Sequence, residues 1–182
     1  MKAAPAEGGA GLEQRARALR LLSLDVDGVL TDGRLYYTDG GEELKAYSTL
    51  DGLGIKLLQE AGVEVVLITG RSARNVALRA ANLGIATLLQ GVADKLAAFD
   101  TLRAERGLDW GACGHMGDDL PDLALMLRCG YSATVPAAPA YIRSRARYVT
   151  RAAGGEGAVR EVADAVLRAK GLLDAVIARH GR

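Results

Sequence analysis

The chain has 182 residues, with 23 Lys and Arg against 22 Asp and Glu and a formal charge of +1, so nothing in its electrostatics points to nucleic acid or to a membrane surface. Its residues are 49% hydrophobic but only 4% aromatic, the composition of an ordinary globular α/β domain long enough to bury a core. The two cysteines, Cys113 and Cys129, fall in apolar segments and match no metal-ligand spacing, which fits a reducing cytoplasm. Residues 1–11, rich in Ala and Gly, hold no apolar run suited to a signal peptide or membrane span, and disorder is expected there.

A short helix is predicted over 12–19. It leads into an apolar run from Leu21 that stops at Asp25, the pattern of a strand buried on both faces of a parallel sheet. Side chains at i and i+2 share a face of an extended chain, so Asp25 and Asp27 can reach one reacting group, and Gly28 lets the backbone turn away beside a ligand. Taken alone, Asp-x-Asp-Gly is equally a strand followed by a turn. Segments 34–37 and 42–46 flank Thr38-Asp39-Gly40-Gly41 and predict a β-hairpin. Helical spacing of Leu53, Leu57, Leu58 and Ala61 predicts a helix over 53–61 closed by Gly62. A second buried strand over 63–68 ends at Thr69-Gly70-Arg71, followed by a helix over 72–83, a short strand over 86–89 and a helix over 95–105. The next strand, 112–116, stops at Gly117-Asp118-Asp119, and the helix over 120–128 has Pro121 near its start, where a missing N–H does no harm. A strand over 131–134, a candidate sixth near Tyr148, a Gly-rich stretch at 152–157 and a helix over 158–169 follow. The tail over 172–182 reads as helical or loose. This alternation predicts a doubly wound parallel sheet in one domain over 12–171.

The carboxyl edge of such a sheet is where ligands bind, and each strand end supplies a group with a use. Asp25, Asp27 and Asp118 form a hard-oxygen site suited to Mg²⁺. The Thr69 hydroxyl, backbone N–H groups at a helix start and the Lys95 ammonium suit a phosphoryl group. Each piece alone has an ordinary reading as a turn, a solvated lysine or an acidic helix start. The ordered set predicts phosphoryl transfer. Asp25 is assigned as nucleophile and metal ligand. Asp27 is the general acid toward the leaving alcohol and then the base for water, with its backbone carbonyl on the metal. Lys95 neutralises charge, Thr69 and the Gly70 amide hold phosphate oxygens, Asp118 completes the protein's share of the metal shell, and Asp119 or Asp122 orients it. His115 and His180 receive no role; His115 is read as a structural side chain in a strand.

Together, Asp25-x-Asp27, Thr69-Gly70-Arg71, Lys95 and Gly117-Asp118-Asp119 resemble the four motifs of the haloacid dehalogenase (HAD) superfamily of phosphotransferases. Residues 24–33, Gly41-Glu42-Glu43-Leu44-Lys45-Ala46, Gln90-Gly91 with Lys95-Leu96, and Tyr148-Val149-Thr150-Arg151 running into Gly154-Gly155-Glu156-Gly157-Ala158-Val159-Arg160-Glu161 are similar to the 3-deoxy-D-manno-octulosonate 8-phosphate phosphatase family, over 21–171. The resemblance implies a capless, HAD-like, Rossmann-type fold with an inserted hairpin, dependence on Mg²⁺, an aspartyl-phosphate and a sugar acid phosphate substrate of lipopolysaccharide synthesis. It also implies a homotetramer in which hairpins associate and a neighbouring subunit helps to cover each site. Leu35, Tyr36, Tyr37, Leu44 and Tyr47 offer the apolar surface for that, unless the hairpin folds back on its own domain. Carried across residue by residue, the family's substrate contacts fall on Asp27, Ser48, Thr49, Asp51, Gly52, Lys56, Gly70, Arg71, Arg79 and Lys95. The chain departs from the pattern at Thr49-Leu50-Asp51-Gly52, where the family commonly has Val-Arg-Asp-Gly, so one guanidinium is missing. Phosphatases of related nine-carbon sugar acids are the competing expectation. A non-catalytic, partner-regulating domain is the alternative of another class, and the complete catalytic set counts against it.

Overall fold

The computed structural model describes residues 9–181; of the segment 1–11 expected to be disordered, 1–8 lie outside the described residues and 9–11 open a helix. Its elements are α1 (Gly9–Ala18), β1 (Leu21–Leu24), β2 (Tyr36–Tyr37), β3 (Glu43–Leu44), α2 (Thr49–Glu60), β4 (Glu64–Ile68), α3 (Arg74–Asn82), β5 (Leu88–Leu89), α4 (Lys95–Glu105), β6 (Cys113–Met116), α5 (Leu120–Arg128), β7 (Tyr131–Thr134), α6 (Ala140–Arg143), β8 (Tyr148–Val149), α7 (Ala158–Ala169) and α8 (Leu173–His180). The main sheet has the order β5-β4-β1-β6-β7-β8 with every pair parallel. β2 and β3 pair antiparallel as a separate ribbon inserted after β1.

Strand alternation divides the core between the two faces of the sheet. Leu22 and Leu24 of β1 join Val65 and Leu67 of β4 on one face, under Ile55 and Leu58 of α2, Val76 of α3 and Val159, Val162 and Val166 of α7. Leu21, Val66, Ile68 and Cys113 pack on the other face against Phe99 and Leu102 of α4 and Leu125 of α5. The chain steps from β1 outward to β4 and β5, then crosses back to β6, β7 and β8, so the strand order reverses beside β1. That switch point opens a crevice at the carboxyl ends. Leu24 pairs with both Leu67 and Met116, so β1 and β6 finish together, β4 runs one residue further, and the residues that follow share one edge.

Four elements differ from the sequence reading, and the first is α1, which begins at Gly9, three residues earlier than expected. Helix α2 begins at Thr49, four residues earlier than its apolar spacing indicates, because Ser48 caps it by accepting from the Asp51 amide at 3.4 Å. Gly52 and Gly54 disguise that start: a Cβ on Gly54 would lie 3.0 Å from Arg160 Cα of α7, and one on Gly52 would meet the Arg79 guanidinium, which can move aside. Helix α3 starts at Arg74, two residues late, since the Ala73 amide donates to the Gln90 side chain at 2.8 Å and holds the preceding residues in the loop. The single turn of α6 has too few residues to register as a period, and the tail resolves as α8.

Candidate active site

The site is assembled from strand ends. The Asp25 amide donates to Met116 O at 3.0 Å, extending the ladder between β1 and β6 by one rung beyond the strand. Lys95 opens α4, where Asp94 caps the helix by accepting from Ala97 N. Its buried Nζ lies 2.8 Å from Asp25 Oδ1 and 2.7 Å from Asp122 Oδ1. Thr69 follows β4; its amide donates to Leu89 O at 2.9 Å, its carbonyl accepts from Val92 N, and its hydroxyl oxygen accepts from Arg71 N at 3.2 Å. Asp118 follows β6 and closes over the first loop. Gly28, at φ +94°, permits this approach, because a Cβ there would stand 2.2 Å from Asp118 Oδ2. Asp25, Asp118 and Asp122 thus offer carboxylate oxygens that all lie within 4.8 Å of one another.

Three acids around one ammonium leave an excess of negative charge. Burial, then the Asp122 carboxylate, push the Asp25 carboxyl above its ordinary range against the pull of Lys95. Burial and the neighbouring Asp25, Asp122 and Asp119 push Asp118 up to about 7. Burial also opposes ionisation of Asp122, but the hydrogen bond from His115 and the hydrogen bond and charge of Lys95 outweigh it and hold that carboxyl well below the usual range. Asp122 is already fully committed. Its Oδ1 meets Lys95 and His115 Nε2, and its Oδ2 accepts from the amides of Asp118 and Asp119 at 3.2 and 3.3 Å. Asp119 turns to α5 instead, its carboxylate accepting from Leu120 N at 2.8 Å. The remaining donor set, Asp25 and Asp118 with unbalanced charge between them, fits a hard divalent cation.

Asp27 stands two residues on, partly exposed, with a different set of partners. Lys45 Nζ is in contact with Asp27 Oδ1 and lies 2.7 Å from Glu43 Oε1, and the Lys45 side chain is only 1% exposed. Arg71 meets Glu43 with one nitrogen and approaches Asp27 Oδ2 to 3.9 Å with another. The Asn75 amide adds a hydrogen bond to Glu43 O at 3.0 Å. Alternating charges therefore clamp the base of the hairpin to the catalytic loop. Glu43 and Lys45 had no role in the sequence reading, since charged residues in a short ribbon look solvated until the ribbon folds inward.

The segment 48–52 borders this clamp. Arg79 donates to Ser48 O at 2.9 Å and lies over the Tyr47 ring at 5.5 Å, so it supports the segment from beneath Gly52. Thr49 and Leu50 are exposed at the start of α2, and Lys56 is exposed one turn beyond Gly52. Asp51 points to α7, its carboxylate accepting from the amides of Gly157 and Arg160 at 3.3 and 2.8 Å. Asp25, Asp27, Thr69, Lys95, Asp118 and Arg71 come to one sheet edge, whereas Asp51 caps a helix and Lys56 faces solvent.

No protein-family model matches the chain. The 3-deoxy-D-manno-octulosonate 8-phosphate phosphatase KdsC of Escherichia coli is 48% identical over 160 residues, covering 88% of this chain and 85% of that protein. The chain belongs to this phosphatase family. KdsC of Yersinia pestis is 45% identical over 161 residues, covering 88% and 86% of the two chains. Among solved structures, the family's enzyme from Moraxella catarrhalis, in complex with magnesium ion, phosphate ion and KDO, has a TM-score of 0.93 at 39% identity, with 95% of this chain and 99% of that chain covered. The cobalt-bound family member from Haemophilus influenzae has a TM-score of 0.85 at 36% identity, with 88% and 94% covered. Coverage this complete takes in the hairpin as well as the sheet, so the HAD-like α/β fold with its insertion is the one the sequence motifs led us to expect.

Proposed function

We propose that the protein is a Mg²⁺-dependent phosphomonoester hydrolase that releases phosphate from 3-deoxy-D-manno-octulosonate 8-phosphate, a step of lipopolysaccharide sugar synthesis. The observation that carries this reading is the Lys95 ammonium 2.8 Å from Asp25 with Asp118 beside them, in a chain 48% identical to KdsC. Asp25, Asp118 and the backbone carbonyl of Asp27 would hold the magnesium, which when bound offsets the charge of the phosphate and of the carboxylates around it.

Lys95 anchors Asp25 by Oδ1, leaving its other oxygen to attack phosphorus. The bond from phosphorus to the sugar oxygen breaks as the bond to Asp25 forms, and Asp27 gives the departing alcohol its proton. Asp27 then takes a proton from water, whose oxygen displaces Asp25 and releases inorganic phosphate. Lys45 and Arg71 orient Asp27 for both transfers. The Thr69 hydroxyl and Gly70 amide receive phosphate oxygens, and Lys95 neutralises them. Arg71, Arg79, Lys56 and the segment Ser48, Thr49 and Gly52 form the sugar acid subsite, where cations suit the substrate carboxylate. Asp51 serves that segment by tying it to α7.

A homotetramer and a cytoplasmic location complete the proposal. Tyr37 is 61% and Leu44 54% exposed on the hairpin, which supports association through this ribbon and a site covered by a neighbouring subunit. Both cysteines are free, and among the described residues no helix is long and apolar enough to cross a membrane.

The test is phosphate release from a panel of eight- and nine-carbon keto-sugar acid phosphates, nucleotides and hexose phosphates, with Asp25→Asn as the inactive control. The octulosonate ester should lead by at least about tenfold in kcat/KM, about 1.4 kcal/mol of differential transition-state binding. A lead for a nine-carbon ester would trace to Leu50, and equal rates across the panel would reduce the protein to a general phosphatase.

A further inference from the structure

Ser23 and His115 pair in register across the neighbouring central strands β1 and β6, and both are excluded from solvent. Leu21, Cys113, Phe99 and Leu125 line the same side of the sheet, and Ser132 of β7, in register with His115, is its polar neighbour there, accepting from Arg147 N at 3.2 Å. A hydroxyl and an imidazole at such positions are costly unless every polar atom is satisfied. The phosphoryl-transfer scheme above uses neither residue.

Both ring nitrogens are engaged. His115 Nε2 is 2.9 Å from Asp122 Oδ1, and Nδ1 is 2.8 Å from Ser23 Oγ. An ionised carboxylate only accepts, so Nε2 carries a hydrogen and donates to Asp122. In the neutral ring Nδ1 is then the acceptor, and the Ser23 hydroxyl donates to it; the alternative acceptor for that hydroxyl, Gly114 O, is more distant at 3.3 Å. Asp122 thereby fixes the tautomer of the ring, and the Ser23 hydroxyl holds that ring in place from its other nitrogen.

The ring in turn holds Asp122 against the backbone of the 117–119 turn. A Cβ on Gly117 would fall 2.2 Å from Asp122 Cγ, so the carboxylate occupies the space that a glycine leaves. Without His115, Asp122 Oδ1 would be held only by Lys95, a flexible side chain that must also stay on Asp25.

We infer that Ser23 and His115 are positioning residues for phosphoryl transfer, locking Asp122 and, through it, Lys95 and the Asp118–Asp119 turn. This rests on the reading of Asp25, Lys95 and Asp118 as the reacting constellation. The test compares His115→Leu, His115→Gln and Ser23→Ala for kcat, KM and Mg²⁺ half-saturation, with thermal unfolding in parallel. In His115→Leu, kcat falls about ten- to a hundredfold and more Mg²⁺ is needed, while KM stays within about twofold. His115→Gln, whose amide N–H reaches the Nε2 position, recovers most of the loss at the same thermal stability as His115→Leu. The chain has only two histidines, so ¹⁵N shifts of the metal-free native protein resolve the ring and should report a single Nε2–H tautomer with Nδ1 hydrogen-bonded; in Ser23→Ala the tautomer stays and the Nδ1 shift moves as that hydrogen bond is lost. An Nδ1–H tautomer in the native protein, or native kcat in His115→Leu, overturns the inference. A native protein inactive toward every ester in the panel overturns the phosphatase reading instead, and the ring tautomer then decides whether the network exists.

Discussion

A carboxyl group crowded by other carboxylates resists ionising until a cation arrives, and Asp118 is the case in point. Burial first, then Asp25, Asp122 and Asp119, raise it from an ordinary 3.8 to about 7 in the metal-free protein. Magnesium must displace that proton, so apparent Mg²⁺ affinity should weaken as pH falls below 7, approaching about tenfold per pH unit, with proton release visible by calorimetry in buffers of different ionisation enthalpy. Stability carries the same signature. Between 3.8 and about 7 the folded metal-free protein keeps a proton that the unfolded chain has lost, so this group's contribution is full at the acid end and lost as pH rises through 7. Asp118→Asn should remove that slope from urea unfolding in EDTA; an identical slope in the variant would show that Asp118 is not its source. At this scale Asp25, Lys95 and Asp118 were readable because each ends a strand or opens a helix. Lys45 and His115 were not, since Lys45 meets Asp27 only when the ribbon folds inward and His115 meets Ser23 only when β1 and β6 pair.

Among the elements, the Gly-rich stretch 152–157 is held at its start by Glu161 and at its end by Asp51. Glu161 of α7 accepts from Tyr148 Oη at 2.7 Å and from the amides of Arg151 and Ala152, while the Gly155 amide donates to Val29 O at 3.0 Å behind the catalytic loop. Burial opposes ionisation of Glu161, but the Ala152 amide, the Tyr148 hydroxyl and the Arg151 amide outweigh it and hold the carboxyl below its ordinary 4.5. A depressed carboxyl stabilises the fold above its unfolded value and stops doing so as pH falls through its folded value. Glu161→Gln should therefore be less stable than the native protein near neutral pH by about 1–3 kcal/mol, and the gap should close as pH drops below 4.5. A gap of constant size down to the acid limit would assign the loss to packing. The same element scale explains the late prediction of α2. Its first six residues include two glycines that lie against Arg79 and α7, and their low helix propensity outweighed the capping signal from Ser48.

For the whole molecule, the unpartnered apolar face of the hairpin decides the expected assembly. Native protein should sediment as a tetramer at micromolar concentration, and Tyr37→Asp should shift it to smaller species with reduced activity, because the neighbour that covers each site is lost. A fully active native monomer would remove the tetramer from the proposal. The hairpin is also where the loop after β1 would meet the proposed interface, through Lys45, Glu43 and Arg71. Displacing the ribbon would disturb Asp27 as well as expose the crevice.

Sequence alone determined the order of strands and helices and the groups at their ends. Alternation, capping and turn chemistry act over a few residues and leave a local pattern. Tertiary structure decided which of those groups are free to react. Asp122 is committed and Asp118 strained, Asp51 caps a distant helix, and Lys45 reaches Asp27 across 18 residues of chain. Burial and ion pairing depend on neighbours brought in from elsewhere in the chain, and a one-dimensional pattern does not record them.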